Sequence, residues 1–221
     1  MKVGTDACIF GAYMAAYCTQ RKPPPAHLLD IGTGTGLLSM LIAQQITARI
    51  DAVEMDAGAF EQAKENFRQS PFAGRLNACH GDILHFSTGE KYDGIITNPP
   101  FYEGDLKSGN KKKDAARHED TLTLEQLFSV VDGLLAPGGF FAVLLPYQRI
   151  GYVQQLAEAG RFFLWEELLI QHSAAHPFSR AVLIFGRQWQ AVVKRQLAIT
   201  HNKSGYSPAF TALLKEYYLK L

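Results

Sequence analysis

The stretch Asp30-Ile31-Gly32-Thr33-Gly34-Thr35-Gly36 decides the fold. It follows a short apolar run at residues 27–31 and precedes a longer one at 36–45, so it sits where a strand hands over to a helix. Glycines at alternate positions let the backbone turn tightly and approach a ligand, and the helix start offers free N–H groups. The spacing is GxGxG. A dinucleotide loop reads GxGxxG, and a P-loop carries a Lys-Ser/Thr pair that this loop lacks. Both phosphate readings are weakened accordingly.

Working outward, strand-like runs at 49–54, 76–79, 92–97 and 140–145 alternate with helix-like stretches at 57–68, 122–135 and 150–159. Asp56 caps the first of these helices. Leu124, Leu127, Phe128, Val131 and Leu135 form one stripe on the second. Two closing strands are expected at 162–170 and 181–185. Upstream, Ile9, Tyr13 and Tyr17 recur at steps of four beside Ala12 and Ala16. They predict a helix over 5–18 capped by Thr5 or Asp6 and stopped by Pro23-Pro24-Pro25. Such alternation builds βαβ units. The expected fold class is α/β, a Rossmann-like, seven-stranded, mostly parallel sheet with helices on both faces. A single domain over 1–221 is expected, with an N-terminal helical element at 1–22 and a C-terminal extension at 189–221.

Composition narrows the function. The 221 residues are 47% hydrophobic and 19% charged, which excludes a disordered chain. Lys plus Arg number 22 and Asp plus Glu 21, so bulk positive charge cannot be the means of gripping nucleic acid, although local basic patches remain open. No apolar run approaches a membrane span, and the start MKVGTDACIF lacks a secretory h-region. Cys8, Cys18 and Cys79 form no CxxC pair, which suits a reducing compartment. A soluble, cytoplasmic protein is expected.

Carboxylates follow the glycine loop. Glu54, 18 residues beyond Gly36, ends the second strand, where an acid can hold both hydroxyls of a ribose. Asp82, after the third strand, is placed to accept from an exocyclic amine of adenine. Behind the fourth strand comes Asn98-Pro99-Pro100-Phe101-Tyr102. Paired prolines stiffen the backbone at the strand end where open α/β sheets bind ligands. An aromatic or amide NH2 has its lone pair delocalised and must become more sp3-like to attack a methyl group. The Asn98 side-chain oxygen and the Pro99 carbonyl supply two acceptors for its two N–H bonds. Phe101 supplies a face on which the ring can stack, which is catalysis by positioning.

The motifs DIGTGTG, VEMD and GDI resemble those of class I S-adenosylmethionine-dependent methyltransferases. The resemblance implies a cofactor site made by Asp30, Gly32 and Gly34 at the methionine moiety, Glu54 at the ribose, and Asp82 with Ile83 at the adenine. NPPF resembles the (Asn/Asp)-Pro-Pro-aromatic signature of amino-group methyltransferases, which assigns catalysis to Asn98, Pro99, Pro100 and Phe101. That signature also serves guanine N2, cytosine N4 and protein glutamine, so it does not choose the amine.

Other segments narrow it. Lys2-Val3-Gly4-Thr5-Asp6-Ala7 with Gly11-Ala12-Tyr13, the form NPPFY, His172-Ser173-Ala174-Ala175-His176-Pro177-Phe178-Ser179-Arg180 and the chain's closing residues resemble the bacterial tRNA1(Val) adenine-N6 methyltransferases. The resemblance places Thr5 and Asp6 near the methionine end of the cofactor and makes tRNA the partner. Tyr102, His176 and Arg180 become candidate substrate contacts. Lys111, Lys112, Lys113 and Arg117, with Lys107, are placed to hold phosphates beside the tetrad. Family members carry a further N-terminal hairpin, which is expected to be missing here. His172 and His176 are four apart but have no third ligand nearby in sequence, so no metal is expected. A monomer that engages no membrane is expected. Protein-glutamine and rRNA guanine-N2 transfer stay open as alternatives, as does a non-catalytic RNA-binding module on the same fold.

Overall fold

The chain is described by a computed structural model over residues 4–99, 122–201 and 205–219. The strands are β1 (His27–Ile31), β2 (Arg49–Glu54), β3 (Leu76–His80), β4 (Tyr92–Thr97), β5 (Leu135–Pro146), β6 (Phe163–Gln171), β7 (Phe178–Gly186) and β8 (Val193–Ala198). The helices among the described residues are α1 (Thr5–Gln20), α2 (Leu37–Ala43), α3 (Ala57–Gln69), α4 (Leu124–Leu134), α5 (Ile150–Ala159) and α6 (Pro208–Leu214).

All strands form one sheet in the order β3-β2-β1-β4-β5-β7-β6-β8. The run from β3 to β5 is parallel, β7 is antiparallel to both β5 and β6, and β8 returns parallel to β6. Among the described residues the sheet therefore has eight strands, not the seven expected. The extra one, β8, is an edge strand whose first four side chains face solvent. It lacks the apolar signal that marks the buried strands.

Alternating side chains feed two cores. On one face Leu28, Ile50, Ile96, Phe140 and Ile184 pack with Phe10 and Met14 of α1, Ile42 of α2 and Phe210 of α6. On the other, Leu29, Ile95, Phe141, Val143 and Phe185 pack with Phe128 and Val131 of α4 and Val153 of α5. Helix ends follow local chemistry. The Asp56 side chain accepts from Ala59 N at the start of α3, as expected, and Thr123 with Gln126 forms a capping box on α4. The expected cap of α1 is corrected: Gly4, in extended conformation, is its N-cap, and no side chain caps that end.

Helix α1 runs along the sheet from one rim of strand ends to the other. At its start Asp6 pairs with Arg180, which lies opposite Pro146 at the C-terminal end of β5. At its far end Arg21 donates to Gly138 O near the start of β5. That lower rim also carries Asp51. Burial raises its pKa, but hydrogen bonds from Asn77, His27, Tyr92 and Arg49 outweigh this and hold it below the usual carboxylate range.

Candidate active site

The order β2-β1-β4-β5 places the topological switch point between β1 and β4, where the chain leaves neighbouring strands in opposite directions and opens a crevice. Ile31 lies level with Thr97, and the Thr97 hydroxyl donates to Ile31 O at 2.9 Å. The next residue on each strand is Gly32 on one side and Asn98 on the other. The glycine loop and the start of the tetrad thus leave the sheet side by side. Asn98 and Pro99 are half-buried. Pro100, Phe101, Tyr102, Lys107, Lys111, Lys112, Lys113 and Arg117 lie outside the described residues.

The loop glycines have distinct reasons to be glycine. Gly32, Gly34 and Gly36 take φ of 69°, 60° and 85°, the left-handed region. At Gly32 a Cβ would meet nothing within 4 Å, so the space beside it is open to a ligand. At Gly36 a Cβ would stand 2.4 Å from Phe67 Cε1, so this glycine lets α2 pack against α3. The loop is pinned to the second strand by Gly32 N and Thr33 N, which donate to Val53 O at 2.9 and 3.1 Å.

Glu54 faces this loop. One carboxylate oxygen accepts from Gly34 N at 2.7 Å and the other from Asp56 N at 2.9 Å. Each oxygen keeps a second acceptor site, enough for two hydroxyls. Gly81 N donates to Glu54 O at 3.0 Å and draws the end of β3 to the end of β2. Asp82 follows on the same rim. Its carboxylate accepts from Leu84 N at 2.9 Å and lies 3.0 Å from His85 Nδ1, and the next residue, Ile83, is buried. Met55, between Glu54 and Asp56, is 54% exposed, an apolar side chain that sequence reasoning passed over.

Asp30 is wholly buried under the loop. Its Oδ2 accepts from the Thr33 and Ser39 hydroxyls at 2.6 and 2.8 Å, stapling the loop to α2. Burial pushes its pKa up to about 6, against the lowering effect of those hydrogen bonds. Its Oδ1 is buried and has no hydrogen-bond partner, which leaves one acceptor for a donor arriving at the loop. The open space at Gly32, the two-pronged Glu54 and this spare oxygen fit a ligand bearing a cationic or N–H group at one end and a diol at the other.

The remaining candidates sit further along the strand ends. Thr5 and Asp6 open α1, and Asp6 Oδ2 lies 3.2 Å from Arg180 Nε. His176 is exposed. Its Nδ1 lies 2.8 Å from the Ser173 hydroxyl, and its ring meets His172 edge-on at 5.1 Å. Sequence reasoning missed Thr97, whose bond sets the strand ends level, and Ser39, the second donor to Asp30. A hydroxyl beside Asn-Pro was the only available sign of the first.

The family model of the methyltransferase small domain matches residues 15–159. A structure titled as a predicted O-methyltransferase from Agrobacterium tumefaciens superposes with TM-score 0.70 at 16% identity, covering 96% of each chain. A glycopeptide N-methyltransferase solved with S-adenosylmethionine superposes with TM-score 0.59 at 13% identity, over 85% of this chain and 90% of that one. Fold and family model together define a methyltransferase. A protein of Dyadobacter fermentans named tRNA1(Val) (adenine(37)-N6)-methyltransferase is 41% identical over 227 residues, covering 100% of this chain and 91% of its own length. The chain belongs to that family.

Proposed function

We propose that the protein uses S-adenosylmethionine to methylate N6 of adenine 37 in tRNA1(Val). The observation that carries the reading is the juxtaposition of Asn98 and Gly32 across the switch point, held by the Thr97–Ile31 bond. It supports an amine-binding corner next to a cofactor site, since the tetrad starts beside the glycine loop. The family supplies the choice of amine, through a relative bearing that name over its near-full length.

Bound here, S-adenosylmethionine would supply a sulfonium-activated methyl group; the S–C electron pair would stay on sulfur as the N–C bond forms, and the surplus amine proton would pass to water. Glu54 holds the ribose hydroxyls on the free acceptor sites of its two oxygens. Asp82 accepts from the adenine amine, with Ile83 beneath the ring. Asp30 Oδ1 accepts from the amino acid end, near Gly32, Gly34, Thr5 and Asp6. The Asn98 side-chain oxygen and the Pro99 carbonyl accept the two N–H bonds of the substrate amine, and Pro100 and Phe101 complete the tetrad. Two fixed acceptors favour the sp3-like nitrogen over the planar one, so they stabilise the transition state more than the bound substrate. Tyr102, the lysines at 111 to 113, Arg117, His176 and Arg180 contact the RNA.

Mass spectrometry of nucleosides from tRNA and rRNA, and of amino acids from protein substrate, each incubated with the enzyme and S-adenosylmethionine, tests the reading. N6-methyladenosine in tRNA1(Val) is expected. N2-methylguanosine in rRNA, or methylglutamine in protein, would replace it with one of the other amines.

A further inference from the structure

The aromatic pair at the C-terminal end of β5, exposed Tyr147 and half-buried Phe178, has no part in the cofactor and amine site described above. Tyr147 follows Pro146 immediately and is 39% exposed. Its ring lies 5.6 Å from that of Phe178, tilted by 39°. Both residues stand at the C-terminal edge of β5, because β7 starts there and runs back antiparallel from it. Thr97 is level with Val143, so Asn98 is level with Leu144 and Tyr147 stands three residues beyond. At about 3.3 Å per residue and about 4.8 Å between strands, Tyr147 is on the order of 10 Å from Asn98.

The ground around the pair is polar, with one arginine and two imidazoles. Arg180 shares the strand end with Phe178 and is paired with Asp6, its side chain still 41% exposed. His172 and His176 are both exposed on the β6–β7 connection. An exposed ring flanked by cationic and imidazole groups is the surface that single-stranded nucleic acid uses, with bases stacked on the ring and phosphates on the cations.

We propose that Tyr147, backed by Phe178, is a stacking platform for the base adjoining the target adenine. This rests on the reading that the substrate is an RNA loop. A base seated there holds the strand splayed while its neighbour enters the corner at Asn98. Tyr147 thereby selects loop RNA over duplex, whose bases are not free to stack on protein.

The test uses an unmodified anticodon stem-loop RNA, and two versions with an abasic residue on one or the other side of the target. Binding is read by fluorescence anisotropy and transfer by labelled methyl. Tyr147→Ala is expected to weaken stem-loop binding and kcat/KM by roughly 5- to 150-fold, the range for loss of one base–aromatic stack. Transfer at saturating RNA and cofactor affinity should stay as in the wild type, and Tyr147→Trp should restore binding. The wild type should lose a similar factor on one abasic RNA, and Tyr147→Ala should be indifferent to that same lesion. Wild-type binding by Tyr147→Ala overturns the proposal. So does an abasic loss that persists undiminished in the variant. If the stem-loop binds but is not methylated, the amine assignment fails, while the binding comparison still decides the platform.

Discussion

The Glu54 carboxylate accepts the Gly34 N–H at 2.7 Å, so the acid at the end of β2 and the middle glycine of the loop are one unit. Asp56 N holds the other oxygen at 2.9 Å. In the proposed ribose site the acid would thus be fixed before the ligand arrives, with little side-chain entropy left to lose on binding. Glu54→Ala removes both acceptors. Hydrogen bonds to a charged acceptor are worth about 1.5–3 kcal/mol, so cofactor affinity should fall roughly tenfold to a hundredfold in calorimetry. Unchanged affinity would remove Glu54 from the ribose site.

Asn98 should behave in the opposite way. In the proposed mechanism its oxygen acts on the amine that reacts, not on the cofactor. Asn98→Ala should lower kcat by about 10² to 10³, the range for loss of one oriented hydrogen-bonding group in a transition state. Cofactor affinity should hold. Loss of cofactor binding in parallel with turnover would mean that Asn98 shapes the glycine loop instead.

The central parallel strands β1, β2 and β4 were legible because they are largely buried on both faces and read as apolar runs with glycine or acid at their ends. Residues 27–31, 49–54 and 92–97 are strands as expected. Strand β8 was hidden because Val193, Lys194, Arg195 and Gln196 face solvent, so no pattern marks them. The cap of α1 was misread because Thr5 and Asp6 look like capping residues, yet the chain turns into the helix at Gly4. Contacts between residues far apart in sequence, such as Thr97 with Ile31, or Tyr147 with Phe178, follow from strand register. Local sequence does not encode it.

Arg180 and Asp6 distinguish scaffold from substrate contact. The pair is 3.2 Å apart with both side chains about two-fifths exposed, so it adds less than about 1 kcal/mol to stability. Arg180→Ala should barely move the melting temperature. If Arg180 meets a phosphate, the variant should weaken RNA binding and lower the slope of log K against log salt by about 0.7–1. A lowered melting temperature with an unaltered salt slope would make the pair a structural tie alone.

Asp30 gives the fold a pH signature. In the unfolded chain its carboxyl titrates near 4, and in the fold near 6. An acid with a raised pKa binds its proton more tightly in the folded state. Its contribution is therefore fully present below about pH 4 and is lost as pH rises through about 6. The loss amounts to about 3 kcal/mol. Asp30→Asn cannot ionise, and its amide oxygen can still accept from Thr33 and Ser39. The difference in denaturant stability between variant and wild type should therefore shift in the variant's favour between pH 4 and pH 7. A difference that stays constant over that window would mean that Asp30 ionises in the fold as it does in water.

Gly36 tests the other end of the loop. Its φ of 85° strains any L side chain, and an added Cβ would press to 2.4 Å from Phe67 Cε1. Phe67 is 3% exposed and belongs to the core that α1, α2 and α3 share, so its ring has little room to retreat. Left-handed strain costs about 1–2 kcal/mol and overpacking a further 1–3. Gly36→Ala should therefore destabilise the fold by about 2–5 kcal/mol in denaturant titrations, enough to unfold much of a marginally stable domain. Gly32→Ala has the same left-handed backbone but open space, so it should lose only the strain in stability. It should instead weaken cofactor binding, since its methyl group would project where the ligand passes. Equal destabilisation by the two substitutions would mean that backbone strain alone sets the cost, and that Phe67 gives way.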